Sequence, residues 1–259
     1  GVRELLDKVA KAKVPCMSIM NMPPLPYLKR IPSIDATAIR PAFADAAVWD
    51  TFDPKFMTLC SPDPQAFRPT EDKVNVLQVR LPTNFKAARF ESDAHTAVLK
   101  QLEADIDASR FDVGGQALEL PVKLKVHDSV FVPLAKWSML LAGNYRCVQK
   151  DAMRPIKDAV HSDINASRDV YNWVTKLCVS LGAKESDMVP FEKYAAAAQS
   201  LGSPSSAARA LAAGAPNIER VDLLVKTIAA SKGMTSKSVD DTVAMVEHWL
   251  AKNRAAAKS

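Results

Sequence analysis

The sequence predicts an α/β region followed by an all-α region, on three observations. Up to residue 127, short apolar runs bounded by turn residues alternate with helical patterns. Beyond it, apolar residues recur only at steps of three, four and seven, the signature of helix faces. Nine of the 17 prolines fall within 23–72, which marks a loop-rich stretch inside the first region. The chain has 259 residues, 48% hydrophobic and 24% charged, which is ordinary globular usage and enough length for two cores. Disordered, collagen-like and disulfide-scaffold classes are excluded. No apolar run reaches the roughly 18 residues that a membrane-spanning helix needs.

Each element has its own signal. Val2, Leu5, Leu6 and Val9 predict a first helix. Val14-Pro15-Cys16-Met17-Ser18-Ile19-Met20 predicts a buried strand, ended by Asn21-Met22-Pro23-Pro24 because prolines cannot continue a ladder. Residues 23–72 read as a packed insertion with short helices around 35–47, since Phe43, Val48, Trp49, Phe52, Phe56, Met57 and Leu59 are too apolar for a linker. Val74, Val76, Val79 and Leu81 predict one strand, and 85–90 a second after the Pro82-Thr83-Asn84 turn. Ser92-Asp93 opens a helix over 93–109, with Val98, Leu102 and Ile106 on one face. Gly114-Gly115 is a turn, and 118–120 and 122–126 read as strands. Helices then follow over 130–148 (apolar on most faces), 152–181 and 190–201. Another opens at Ser203-Pro204 and closes at Gly214, the next spans 216–232, and Ser238 caps the last.

Net charge is 34 − 29 = +5. Residues 1–128 carry 17 basic and 17 acidic side chains, and 129–259 carry 17 and 12, so the whole excess lies in the second half. A basic surface with a basic tail (Lys252, Arg254, Lys258) accounts for it, and an anion-binding second half is the sharper alternative. No basic run of nucleic-acid type occurs and aromatics are only 7%, so neither nucleic acid nor a membrane is expected as a partner. Cys16, Cys60, Cys147 and Cys178 form no C-x-x-C and, with His95, His127, His161 and His248, no metal-ligand spacing, so no metal site is expected. Buried free thiols and a cytoplasmic location are the expectation.

Several segments together resemble the ketopantoate reductase family. Pro15 to Met22 is similar to the family's strand ending in an apolar-x-Asn-x-Met segment. The strand, strand, helix, strand order of 74–126 resembles the second half of its sheet. Lys136-Trp137-Ser138-Met139-Leu140-Leu141-Ala142-Gly143-Asn144 resembles its Trp-x-Lys-Leu-x-x-Asn helix. Ser205-Ser206, followed by Asn217-Ile218-Glu219-Arg220-Val221-Asp222, resembles its Ser-Ser and Thr-Glu-Ile-Asp pattern, one residue out of register. The resemblance implies an incomplete Rossmann-like dinucleotide-binding domain over 1–127, with the Pro-rich insertion at about 23–72. A helical substrate and dimerisation domain of the 6-phosphogluconate dehydrogenase C-terminal type would follow over 128–259, and a cleft between the two would hold the ligand.

The implied activity is that of an NAD(P)-dependent oxidoreductase, passing hydride from NADPH (the NADP cofactor) to a small 2-keto acid, with a homodimer as the assembly. Lys136 would be the proton donor, Asn144, Ser205 and Ser206 would hold substrate, and Asn21 and Glu219 would hold cofactor. Each has a plainer role as well: Asn21 a turn residue, Ser205 and Ser206 helix caps, Glu219 a first-turn acid at a helix dipole. Two departures stand out. In the family a lysine lies four residues before the asparagine, whereas Lys136 lies eight before Asn144, roughly 80° away around an ideal helix. No G-x-G-x-x-G occurs, so the resemblance places the glycine loop upstream of Gly1, or else the chain is a relative without a cofactor. The alternatives are a non-catalytic helical binding or dimerisation module, using 152–181 and 216–232 as its surface, and a related opine or hydroxy-acid dehydrogenase.

Overall fold

The computed structural model describes residues 2–62, 66–67, 76, 78–79 and 83–257. The chain forms two compact units, one of Gly1–Arg30 with Val48–Pro133 and one of Ile31–Ala47 with Leu134–Ser259.

The first unit is built on a four-stranded sheet. Helix α1 (Val2–Ala12) leads into β1 (Cys16–Ile19), and a proline-opened turn of helix, α2 (Leu25–Leu28), follows. Then come β2 (Met57–Pro62), the short pair β3 (Ala66–Phe67) and β4 (Gln78–Val79), and β5 (Thr83–Ala88). Helix α3 (Asp93–Ala108), the hairpin β6 (Arg110–Val113) and β7 (Gln116–Glu119), and β8 (Val122–His127) complete it. Of the strand expected around 74–81, Gln78–Val79 form β4, laddered with β3, whereas Val76 lies outside any strand and is exposed; Val74 and Leu81 lie outside the described residues.

The sheet order is β1-β2-β5-β8. β1 with β2 and β5 with β8 are parallel, but β2 and β5 run antiparallel, so the sheet is mixed. The register pairs Ile19 with Cys60 and Pro62 with Phe85. β1 and β2 therefore end at one edge of the sheet, and β5 and β8 end at the other, because the chain reverses between β2 and β5. Helix α3 covers one face, packing Leu99 and Ile106 onto Cys60, Ala87, Phe90, Leu124 and Val126. This differs from the stripe expected for α3: Val98 and Leu102 are exposed, and the buried row runs through Thr96, Leu99 and Ile106 instead.

Helices make up the second unit. A continuous rod passes from a 3₁₀ turn (Val132–Ala135) through α4 (Lys136–Met139) and a π turn (Leu140–Asn144) to a second 3₁₀ turn (Tyr145–Cys147). It is followed by α5 (Ile156–His161), α6 (Ile164–Leu181), α7 (Phe191–Ala198), α8 (Ser206–Ala212), α9 (Val221–Ser231) and α10 (Lys237–Ala256). The single helix expected over 152–181 is two helices. Asp163 breaks it, since its carboxylate accepts the Ala166 N–H and so starts a new helix. Gly182 closes α6 in the left-handed region at φ 119°, as its sequence position implies. α9 begins at Val221 rather than 216, because 215–216 is strapped to α10: Asn253 donates to the Ala215 carbonyl and Arg254 to the Pro216 carbonyl. The last cap is Ser236, not Ser238. Ile31–Ala47 packs with these helices, Ser33 Oγ donating to the Leu181 carbonyl at 2.9 Å. Among the described residues no helix is long and apolar enough to cross a membrane.

Candidate functional site

Ser205 and the segment carrying Glu219 are bonded to the rod at Asn144 and Tyr145, through the Asn144 and Glu219 backbone carbonyls; Lys136 lies on the same rod and Ser206 follows Ser205. The rod's π turn is the first part of that geometry. The Tyr145 N–H bonds the Leu140 carbonyl five residues back, so the turn holds one residue more than an α turn. Eight residues then cover the arc that seven cover in an α-helix, which takes back roughly 100° and leaves Lys136 and Asn144 within about 20° of each other, two turns apart. The two residues thus share a side of the rod, while Lys136 stays two turns from Asn144 rather than the one turn that the family spacing implies.

Gly143 lets Tyr194 approach the widened turn closely. A Cβ on it would lie 2.0 Å from the Tyr194 hydroxyl and 3.1 Å from Val160 Cγ2. Tyr194 uses that hydroxyl to donate to the Met139 carbonyl at 3.0 Å, inside the distorted stretch. Burial pushes the Tyr194 hydroxyl pKa up, so it stays a neutral donor.

Two hydroxyls lock the end of the rod to later segments. Ser205, 2% exposed, donates to the Asn144 carbonyl at 2.7 Å while accepting the Ala208 N–H as the N-cap of α8. The capping role and the approach to Asn144 are therefore the same side chain acting twice. Tyr145 donates to the Glu219 carbonyl and accepts the Val221 N–H at 3.0 Å. Burial first, then the Asp222 carboxylate, pushes the Tyr145 hydroxyl far above its usual range, so it remains able to do both. Asn144 is half-buried and Lys136 half-buried, Glu219 is exposed, and Ser206 is exposed at the first position of α8.

The segment carrying Glu219 is fixed from beneath. The Arg220 guanidinium makes two bonds to the buried Asp222 carboxylate, at 2.9 and 3.0 Å, and a third to Glu247. Burial disfavours its charge, but the two carboxylates outweigh that and hold its pKa above the ordinary value.

Asn21 belongs to the other unit, just past β1, beside the ladder that bonds the Met20 N–H to the Cys60 carbonyl. Its Oδ1 is sealed from solvent and accepts no hydrogen bond from the protein. A buried acceptor without a donor is costly to keep, which makes it a fitting place for a ligand N–H or O–H.

Sequence reasoning missed Gly143, Tyr145, Tyr194 and the Arg220–Asp222 pair. Two of these carry a readable signal: Tyr145 directly follows Asn144, and Arg220-Val221-Asp222 puts opposite charges two apart within an apolar stretch. The four cysteines are free. Burial raises Cys60 and Cys178 to about 12 and also raises Cys16 and Cys147, so none is an activated thiol.

No family model and no curated protein matches the chain. Solved structures do. A ternary complex of D-mandelate dehydrogenase with NADH and anilino(oxo)acetate superposes with a TM-score of 0.63 at 9% identity, covering 98% of this chain and 74% of that one. The same enzyme with NADH alone gives 0.60 at 10% identity. A PanE/ApbA family ketopantoate reductase from Ralstonia eutropha JMP134 gives 0.55 at 15% identity, covering 80% of this chain and 63% of that one. At such identities the likeness is one of fold: an α/β Rossmann-like domain joined to a helical one.

Proposed function

We propose that this protein is a nicotinamide-dependent oxidoreductase that reduces a small 2-keto acid, with its helical unit holding the substrate. The observation that carries the reading is that Ser205 and the Glu219 segment, from two later stretches of sequence, are bonded to the rod at Asn144 and Tyr145, the rod that also carries Lys136 about two turns before Asn144. The fold likeness to D-mandelate dehydrogenase in complex with NADH supports it.

A reduced nicotinamide, when bound, supplies the hydride. The residue of this chain that would hold such a group is Asn21, whose orphaned Oδ1 would accept a carboxamide or ribose donor; the sequence contains no glycine-rich phosphate loop. Asn144 orients the keto acid by hydrogen bonds from its amide. Lys136 gives a proton from Nζ to the carbonyl oxygen as that oxygen gains charge, and takes one back from solvent afterwards. The choice of NADPH over NADH and a homodimeric assembly belong to the same proposal, on the family resemblance.

The test is turnover of a panel of small 2-keto acids by the full chain, followed as loss of reduced-nicotinamide absorbance, together with fluorescence titration by NADPH and NADH. Asn144→Ala and Lys136→Ala should each lower kcat by about a hundredfold or more, with far-UV circular dichroism unchanged. A flat titration with no turnover, in a chain that self-associates tightly, would overturn the enzyme reading in favour of an interaction module.

A further inference from the structure

The rod ends in a tight hairpin. Val148 bridges Met153, the Arg154 N–H bonds the Cys147 carbonyl, and the Gln149 N–H bonds the Ala152 carbonyl. Arg146 and Arg154 stand at its base, on opposite arms. Arg154 Nε donates to the carbonyl of Arg146 itself at 3.0 Å, so the second guanidinium is held over the backbone of the first. Its Nη1 donates to Ser162 Oγ at 3.0 Å. Arg146 Nη1 donates to the Ala142 carbonyl and to Ser167 Oγ, and Ser167 is fully buried and further anchored on the Val160 carbonyl.

These are two fixed positive charges without an ion-pair partner among the described residues, although the Asp163 carboxylate acts on Arg146, and the Asp158 carboxylate on the adjacent Cys147, at longer range. Among the described residues no carboxylate lies within ion-pairing distance of either guanidinium. The Asp163 carboxylate acts on Arg146 only at longer range, since it is engaged in capping α6. Burial first, and then the charge of Arg154, pulls the Arg146 pKa down. Among the described residues Arg146 Nε and Nη2 and Arg154 Nη2 have no bonding partner, and none of the three is sealed from solvent. Two planar forks with open donors, one of them held on the other residue's backbone and repelling the other's charge, are relieved best by one ligand that carries two negative charges and several acceptor oxygens. A carboxylate brings one charge, whereas a phosphate group brings about −1.5 to −2 at neutral pH.

We propose that Arg146 and Arg154 form a binding site for a phosphate dianion, either free or carried on a small molecule. The site is independent of the oxidoreductase reading and uses none of its residues, so either can fail without the other. It also gives part of the second half's excess positive charge a chemical purpose.

The full chain would be titrated calorimetrically and by thermal shift with inorganic phosphate, at constant ionic strength set by sodium chloride. Saturable binding is expected, weakened at least about tenfold in Arg154→Gln. Arg154→Lys keeps a charge but not the fork, and should fall between the two and preserve the hairpin if the glutamine variant does not fold. Lys150→Gln, an exposed charge at the hairpin tip, should bind as the parent does. Glycerol 3-phosphate in a parallel arm separates the two sources: tighter binding names a phosphorylated small molecule, weaker binding names free phosphate. Absence of any effect beyond the salt control, unchanged affinity in both Arg154 variants, or an equal loss in Lys150→Gln would overturn the site. Acetate binding as tightly as phosphate would overturn the assignment of a dianion.

Discussion

In the sheet unit, strand ladders satisfy most backbone groups and side chains intervene at the margins. Arg30 bonds the Met57 and Arg89 carbonyls where β2 begins and β5 has ended, Thr58 bonds the Ala88 carbonyl, and Glu103 caps the free edge of β8. In the helical unit every break in a helix leaves amides and carbonyls that the helix cannot satisfy. There hydroxyls do the joining: Tyr145, Ser205, Tyr194 and Ser167 each reach a carbonyl on another segment. The difference has a functional side. A ladder fixes backbone and leaves side chains at strand ends unmatched, as with Asn21 Oδ1. Cross-linked helix breaks instead hold particular residues, Asn144 and Glu219 among them, in set positions.

The comparison breaks most sharply at Arg220. Arg220→Met would leave the fully buried Asp222 carboxylate without its partner, at a cost of about 3–5 kcal/mol. Urea unfolding should record that loss. Replacing both residues together, with Met at 220 and Leu at 222, should recover most of it, because an apolar pair carries no desolvation penalty. A double variant as unstable as the single one would mean that the pair is not what anchors α9.

Gly143→Ala comes next. The added methyl meets the Tyr194 hydroxyl, and overpacking of this kind costs about 3 kcal/mol. Tyr194→Phe removes the oxygen in the way, so the double variant should be less destabilised than the sum of the singles. Simple additivity in that cycle would show that Gly143 and Tyr194 do not define the widened turn.

Much of the fold was legible in advance because its signals are local. Apolar periodicity located the rod and most of the later helices, the Pro23-Pro24 stop ended β1, and Gly182 closed α6. The reversal between β2 and β5 was not legible, since strand direction depends on which partner a strand meets and a four- to six-residue apolar run reads the same both ways. The face of α3 was misread for a related reason: Thr96, a polar residue, turns inward to bond the Ser92 and Phe90 carbonyls, which shifts the buried stripe. At the candidate site the residue types were readable from motif order, but the phase between Lys136 and Asn144 was not. It depends on a π turn against which Tyr194 packs at Gly143, residues 51 apart in sequence (194 − 143).

The smallest effect tests the sheet side of the comparison. Glu103 accepts the Val126 N–H at 2.9 Å and pairs with Lys125 at 3.0 Å. Burial alone would raise its carboxyl, but the backbone donor and Lys125 prevail and hold the pKa below the ordinary value. A depressed carboxylate contributes stability above its unfolded-state pKa and loses it as pH falls through the folded-state one. The contribution is below about 1 kcal/mol for so accessible a pair, too small for a melt to isolate. Exchange of the Val126 amide reports it directly: protection should fall as pH drops through the carboxylate range, after correction for intrinsic exchange. Glu103→Gln keeps an acceptor oxygen but no charge, and should flatten that pH dependence while the neighbouring β5–β8 ladder amides exchange as before. If the ladder amides lost protection equally, Glu103 would be holding the whole sheet together rather than closing one open edge.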